Sequence, residues 1–248
     1  MNPVPESYLG VWQRTLLSTT DGRRDTRTRV YWLQTARLFA DLRIPLPAPA
    51  GAAALATQAG FAGVTEVTGE RCQWHRVIDF QPASGELDIG RMRFETPARL
   101  LEDGLDGSYH EVWERLPESL GRNWGTWLRG ADGRQGCLLL AGDCFLFAAD
   151  RARTPPARAS LAELAEADAG WLDFELSFGR HDGGATPWRI ELSTLPARVG
   201  QALLPAAADP DRPAELFGCS AFAQLGALPP AGGWKAASEP TPTSEVRP

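Results

Sequence analysis

Lysine is almost absent from this chain. Among 25 basic residues only Lys235 is a lysine, and the rest are arginines. Schiff-base chemistry, which needs a lysine in a pocket, has little to work with here. Catalytic signatures are missing as well. No G-x-S-x-G occurs, no Walker motif occurs, and no G-x-G-x-x-G opens a helix after a strand. Serine-hydrolase and nucleotide-dependent reactions are therefore not expected. Histidine is scarce: His75, His110 and His181 stand far apart, with no H-x-H or H-E-x-x-H spacing, so no metal site is expected. The four cysteines show no C-x-x-C spacing, which reads as reduced thiols without a disulfide. No stretch approaches 18 consecutive apolar residues, so no transmembrane helix is expected. The opening MNPVPESYLG has neither a basic region nor an apolar core, and the expected location is cytoplasmic. A net charge of −6 argues against a nucleic-acid surface. The one basic cluster, GRRDTRTR at 22–29, reads as a solvated hairpin loop.

Turn formers and tryptophan are plentiful. The chain carries 25 Gly, 20 Pro and nine Trp in 248 residues, a composition that fits many short strands in one large domain or two modest ones. The clearest segment is Val30–Pro45, VYWLQTARLFADLRIP. It reads as a hairpin: strand Val30–Gln34, a turn at Thr35–Arg37, strand Leu38–Ile44, and a stop at Pro45. In the second strand Leu38, Ala40, Leu42 and Ile44 share one face, while Phe39, Asp41 and Arg43 share the other. Other strand candidates are Tyr8–Leu17, Thr26–Gln34, Val64–Val67, Cys72–Phe80, Met92–Glu95 and Arg99–Glu102. Ala50–Gly60 reads as a short helix ended by Gly60.

The pattern then begins again. SYLGVWQRTL at 7–16 is echoed by SYHEVWERLP at 108–117, and RLFADLR at 37–43 by FLFAADR at 145–151. The Pro/Ala segment before Gln58 is echoed before Asp168, and WHRVIDFQP at 74–82 by WRIELSTLP at 188–196. The offsets are 101, 108, 110 and 114 residues; they drift as loop insertions would make them, and the order is kept. The expectation is an all-β chain of two repeated units, each an antiparallel up-and-down barrel that hides its sheet edges by closing, with a short inserted helix. The expected units are 1–104 and 105–235, with a disordered tail at 236–248.

Gly10-Val11-Trp12 resembles the Gly-x-Trp signature of the lipocalin and calycin group. SYLGVWQR, the VYWLQT…ADLRIP hairpin, and WHRVIDFQP followed by LDIG at 87–90 resemble the Hri family, fungal proteins that interact with a casein kinase, together with bacterial relatives. The resemblance spans roughly residues 7 to 204. It implies tandem calycin-like barrels but brings neither catalytic residues nor an agreed ligand. The second copy departs from it, with Glu111 where Gly10 stands.

A ligand site in the first barrel would use Trp32 and Trp74 for stacking, Gln34 and His75 for hydrogen bonding, and Asp41 and Arg43 for charge recognition, with Asp79 as a further acid if its strand faces the same cavity. Each has a plainer reading. Strand tryptophans are commonly core, His75 can be merely hydrogen-bonded, and Asp41 and Arg43 can form a solvated pair worth about 0–1 kcal/mol. The apolar face of Leu38–Ile44 can point into the barrel or form a seam between the two copies, and this choice sets where Asp41 and Arg43 lie. No cofactor is expected; a barrel histidine can ligate haem iron, so His75 alone keeps a haem reading open. The leading expectation is a small-molecule binder with a partly apolar ligand. The alternatives are a protein-interaction scaffold with filled barrels and a cofactor-independent isomerase or cyclase. Cavity volume separates them: below about 100 Å³ per barrel there is no room for the pocket of about 300–1,000 Å³ that a ligand usually needs, and the scaffold reading wins.

Overall fold

The computed structural model describes residues 3–181, 186–218 and 220–241. The first half contains β1 (Gly10–Thr19), a two-residue β2 (Arg24–Asp25), β3 (Arg29–Gln34), β4 (Leu38–Ile44), helix α1 (Ala52–Leu55), β5 (Ala59–Thr68), β6 (Arg71–Asp79), β7 (Asp88–Thr96), β8 (Arg99–Gly104) and β9 (Tyr109–Arg115). Neighbouring strands pair antiparallel in the order β1-β3-β4-β5-β6-β7-β8-β9, and β9 returns to pair with β1. The sheet is thus an eight-stranded closed barrel, with β2 adding two residues beside β1. Closure satisfies the backbone groups that an open edge would leave bare.

The second half contains β10 (Asn123–Gly130), β11 (Gln135–Ala141), β12 (Cys144–Ala149), helix α2 (Leu161–Ala167), β13 (Glu175–Arg180), β14 (Arg189–Ser193), helices α3 (Pro213–Gly218) and α4 (Ser220–Ala223), and β15 (Trp234–Ala237). These strands form a six-stranded sheet in the order β14-β13-β12-β11-β10-β15, and among the described residues it does not close. One barrel and one open sheet therefore stand where two barrels were expected. The reason lies in the first sequence echo. SYHEVWER, read as the start of a second unit, is β9, and it lies antiparallel beside SYLGVWQR in the first barrel, with Trp12 opposite Arg115. The expected boundary at 104 thus falls just before the strand that closes the barrel. The free face of the open sheet is instead covered by Leu216, Phe222, Leu225 and Trp234, packed on Leu138, Leu140, Phe145 and Phe147. The chain then returns along β10 as β15, which takes in Ala236 and Ala237. Residues 236–241 of the expected disordered tail are thus described, and 242–248 lie outside the described residues.

The later echoes occupy matching places in the two sheets. Leu38 and Ala40 of β4 and Leu146 and Ala148 of β12 all enter one shared core, while Phe39 and Phe147 turn to the opposite faces of their sheets. In β6, Val77 is an extra residue: Arg76 pairs with Gly63 and Ile78 with Ala62. In β14, Glu191 is the extra residue, since Ile190 pairs with Gly179 and Leu192 with Phe178. Both bulges sit opposite a glycine because a side chain would strike the facing strand. A Cβ on Gly63 would lie 1.9 Å from the His75 carbonyl oxygen, and one on Gly179 would lie 2.0 Å from that of Arg189.

The shared core is the seam between barrel and sheet. Leu33, Leu38, Ala40, Leu42, Ile44, Ala62 and Val64 of the barrel wall meet Cys137, Leu139, Leu146, Leu176 and Phe178 of the sheet, and Tyr31 stacks on Phe178 at 4.2 Å between centroids. The apolar face of β4 is buried here, outside the barrel. That leaves Phe39, Asp41 and Arg43 to point inward.

Candidate functional site

The barrel interior is aromatic through most of its length. Trp12, Trp32, Phe39, Phe61, Trp74 and Trp113 form one buried cluster with Cys72, Met92 and Leu100. Trp32 is its hub, with its ring meeting those of Trp74 and Trp113 edge to face at 5.4 and 5.8 Å. Edge-to-face pairs suit the ring quadrupoles and fix the ring positions.

At one side of this cluster the interior turns charged. A cavity is lined by Trp32, Phe39, Asp41, Arg43, Phe61, Trp74, Asp88, Glu102 and Trp113. Its volume is about 20 Å³. One water needs about 10–15 Å³, so the cavity as it stands holds a water or two.

Each charged side chain has a distinct setting. Arg43 grips Asp41 with two hydrogen bonds of 2.7 and 3.2 Å and lies 5.1 Å from the Phe61 ring. Burial alone would lower the Arg43 pKa, but the carboxylates of Asp41, Glu111 and Asp88 outweigh it and raise it. Arg76 pairs with Asp88 at 2.7 Å and with Asp79 at 3.2 Å, and its guanidinium lies 3.5 Å from the Phe61 ring. Arg14 pairs with Glu111 at 2.6 Å and Asp25 at 2.9 Å. Burial pushes Asp25 up, but hydrogen bonds from Thr28 and Arg27 and the Arg14 charge outweigh it and leave its pKa at about 2.

Glu102 is different. The residue is 5 % exposed, and the hydrogen-bond donors to its carboxyl are the neutral Tyr109 hydroxyl at 2.8 Å and the Trp113 indole at 3.1 Å. Glu111 sits directly opposite it across β8 and β9. Burial, then the charges of Glu111 and Asp88, push its pKa well above the usual carboxylate range. Gly90 makes the room for it, since a Cβ there would lie 2.8 Å from Glu102 Oε1.

Of the residues singled out from sequence, the structure brings Trp32, Asp41, Arg43 and Trp74 together around the cavity. Gln34 is buried behind it and internally satisfied. Its Oε1 accepts from the Trp32 indole at 3.2 Å and the Thr65 hydroxyl at 2.8 Å, and its amide donates to the Thr35 and Leu38 carbonyls. His75 is on the outer face of β6, within 3.3 Å of Glu66, and lines no part of the cavity. The bulge at Val77 breaks the side-chain alternation along β6 between His75 and Asp79. Beyond it Asp79 pairs with Phe61 and joins the Arg76 pair, while burial raises its pKa. Phe39, Phe61, Asp88, Glu102 and Trp113 complete the lining and were not singled out. Alternation within each strand would place Phe39 beside Asp41, but nothing local marks two of 31 acidic residues. Among the described residues no group of three or more His, Cys, Asp or Glu is placed to hold a metal ion, and no helix is long and apolar enough to cross a membrane.

No protein-family model matches this sequence, and no curated protein matches it either. Solved structures do. The chain is similar to the uncharacterized protein YLR301w from Saccharomyces cerevisiae, with 13% identity, a TM-score of 0.53, and coverage of 74% of this chain and 84% of that one. At that identity the likeness concerns the fold. A lipocalin-like protein from Bacteroides uniformis ATCC 8492 aligns at 11% identity and a TM-score of 0.33, over 44% of this chain and 99% of that one. An uncharacterized protein from Bacteroides eggerthii DSM 20697 aligns at 9% identity and a TM-score of 0.34, with the same coverage.

Proposed function

We propose that the first barrel binds a compact small molecule with an apolar body and a polar head. The observation that supports this reading is the meeting of a tryptophan-lined cavity with buried charge inside a closed barrel. Placing Asp41, Arg43, Glu102 and Glu111 there costs desolvation that apolar residues of similar volume would not, and a filled core has no need of them. Trp32, Trp74, Trp113 and Phe61 would hold the body, and Asp41, Arg43 and Glu102 the head. The resting cavity is below the 100 Å³ mark, so the ligand does not enter a ready-made pocket. Room for the ligand would have to come from side-chain displacement, and Arg43, 27% exposed, is a lining side chain that reaches water.

The small resting volume favours a second reading: a scaffold whose packed barrel offers its outer surface to a protein partner. Native mass spectrometry of protein purified from its own host separates the two. The binding reading expects a bound small molecule that is lost on denaturation and is absent from Trp74→Ala. Protein of the bare chain mass, with no change in tryptophan fluorescence across a small-molecule panel, favours the scaffold.

A further inference from the structure

We propose that the molecule held by the first barrel is a cation, an ammonium on an apolar body, and that Glu102 receives its charge and gives up a proton to solvent. This rests on the binding reading above and narrows it to one ligand class.

The argument starts from the charge around the cavity. Asp41, Asp88 and Glu102 line it, with Arg43 as the one basic lining residue. Behind them Glu111 and Asp79 add two more carboxyls, against Arg14 and Arg76. Asp41 is paired with Arg43, Asp88 and Asp79 with Arg76, and Glu111 with Arg14. Among the described residues Glu102 is the lining carboxyl whose hydrogen-bond donors are both neutral, with the Arg43 charge acting on it without a hydrogen bond. An anion placed here would meet an excess of acids. A cation would meet an unpaired carboxyl and the faces or edges of five aromatic rings, and ring faces attract cations most strongly where water is excluded. The protein already shows this preference, since the guanidinium groups of Arg43 and Arg76 both lie over the Phe61 ring.

Glu102 also fits the proton balance. Burial and the facing Glu111 and Asp88 charges favour its neutral acid. When an ammonium approaches, the O–H bond of the carboxyl breaks, its electron pair stays on the carboxylate, and the proton leaves to water. The ammonium keeps its own charge, and the new pair is held by the Trp113 and Tyr109 donors, which favour the ionised form. Binding therefore releases a proton and strengthens as pH rises.

The test uses three probes of one shape: benzylammonium, benzyl alcohol and benzoate. Each is titrated calorimetrically into the full chain, in two buffers of different ionisation enthalpy, between pH 6 and 8. The expected result is binding of benzylammonium with proton release, affinity that rises with pH, and weaker or no binding of benzoate. Glu102→Gln should weaken benzylammonium about tenfold or more, as loss of a hydrogen bond to a charged group does. It should also abolish proton release, and benzyl alcohol should lose less affinity than benzylammonium. Circular dichroism confirms that the variant is folded, and proton release by the unaltered chain tests the claim without it. If benzoate or benzyl alcohol binds and benzylammonium does not, the barrel binds ligands but the cation assignment is wrong. If benzylammonium binds with no proton release and no loss in Glu102→Gln, Glu102 is not its partner. If none of the three binds and no small molecule co-purifies, the binding reading itself fails.

Discussion

Arg43 holds Asp41 by two hydrogen bonds, 2.7 and 3.2 Å long, from two positions along the same strand. The Asp41 side chain is 4% exposed and that of Arg43 27%. Arg43→Ala leaves a buried carboxylate alone and should cost about 1–3 kcal/mol, below the usual loss for a fully buried pair because Arg43 reaches water. The double variant Asp41→Ala/Arg43→Ala should be less damaging than the sum of the two single changes. Urea denaturation of the three variants measures this. A change within about 0.5 kcal/mol for Arg43→Ala would mean that the pair contributes nothing to the fold.

Asp150 gives a pH signature. Burial pushes its carboxyl up to about 6, against the favourable Arg151 N–H and charge. The folded state therefore holds a proton that the unfolded chain loses near its ordinary value of about 4. Stability falls as pH rises from about 4 to about 6, and the full cost is present above that window. Asp150→Asn removes the ionisation and should stabilise the protein by about 1–3 kcal/mol at pH 8. Its gain should vanish below pH 4. Denaturation curves for both proteins at pH 4, 5 and 8 check the sign, and a gain that is constant across them would refute it.

Three cysteines should be silent in the native state. Cys72, Cys137 and Cys144 are free and buried, and burial raises all three thiols, Cys144 to about 12. Thiolate is the reactive form. These three should resist a thiol reagent at neutral pH and react once the chain is unfolded. Peptide mapping after native and denaturing labelling reads this site by site. Cys219 lies outside the described residues, and the expectation of no disulfide extends to it. Rapid native labelling of any of the three buried thiols would contradict the packing described here.

The two bulges should be equally intolerant of a side chain. Gly63→Ala and Gly179→Ala each place a methyl group about 2 Å from a backbone carbonyl oxygen, and overpacking of this kind costs about 1–3 kcal/mol. Gly69→Ala is the control, since nothing lies within 4 Å of its Cβ position; its φ of +62° leaves only backbone strain. Melting temperatures should fall further for the two bulge variants than for the control.

The alternating hairpin Val30–Ile44 was legible in the sequence, and so was the division of β4 into an apolar face and a face bearing Phe39, Asp41 and Arg43. A two-residue side-chain period is a local property of an extended chain, so no tertiary information is needed to see it. Which face points inward was not legible. An isolated barrel would bury Leu38–Ile44 inside; the second sheet covers that face from outside and turns the charges in. His75 and Asp79 separate for a similar reason. The extra residue Val77 reverses the alternation along β6, and its signal, Gly63 on the facing strand, is read only once the two strands are paired. The echo SYHEVWER was visible as a repeat, but closure with β1 made it the last strand of the first barrel. Glu102 gains its character from Glu111 across β8 and β9, from Tyr109 and Trp113, and from the space left by Gly90. Strand periodicity is set by neighbours along the chain; barrel closure, the choice of inner face and the burial of one carboxyl are set by partners brought together only in the folded state.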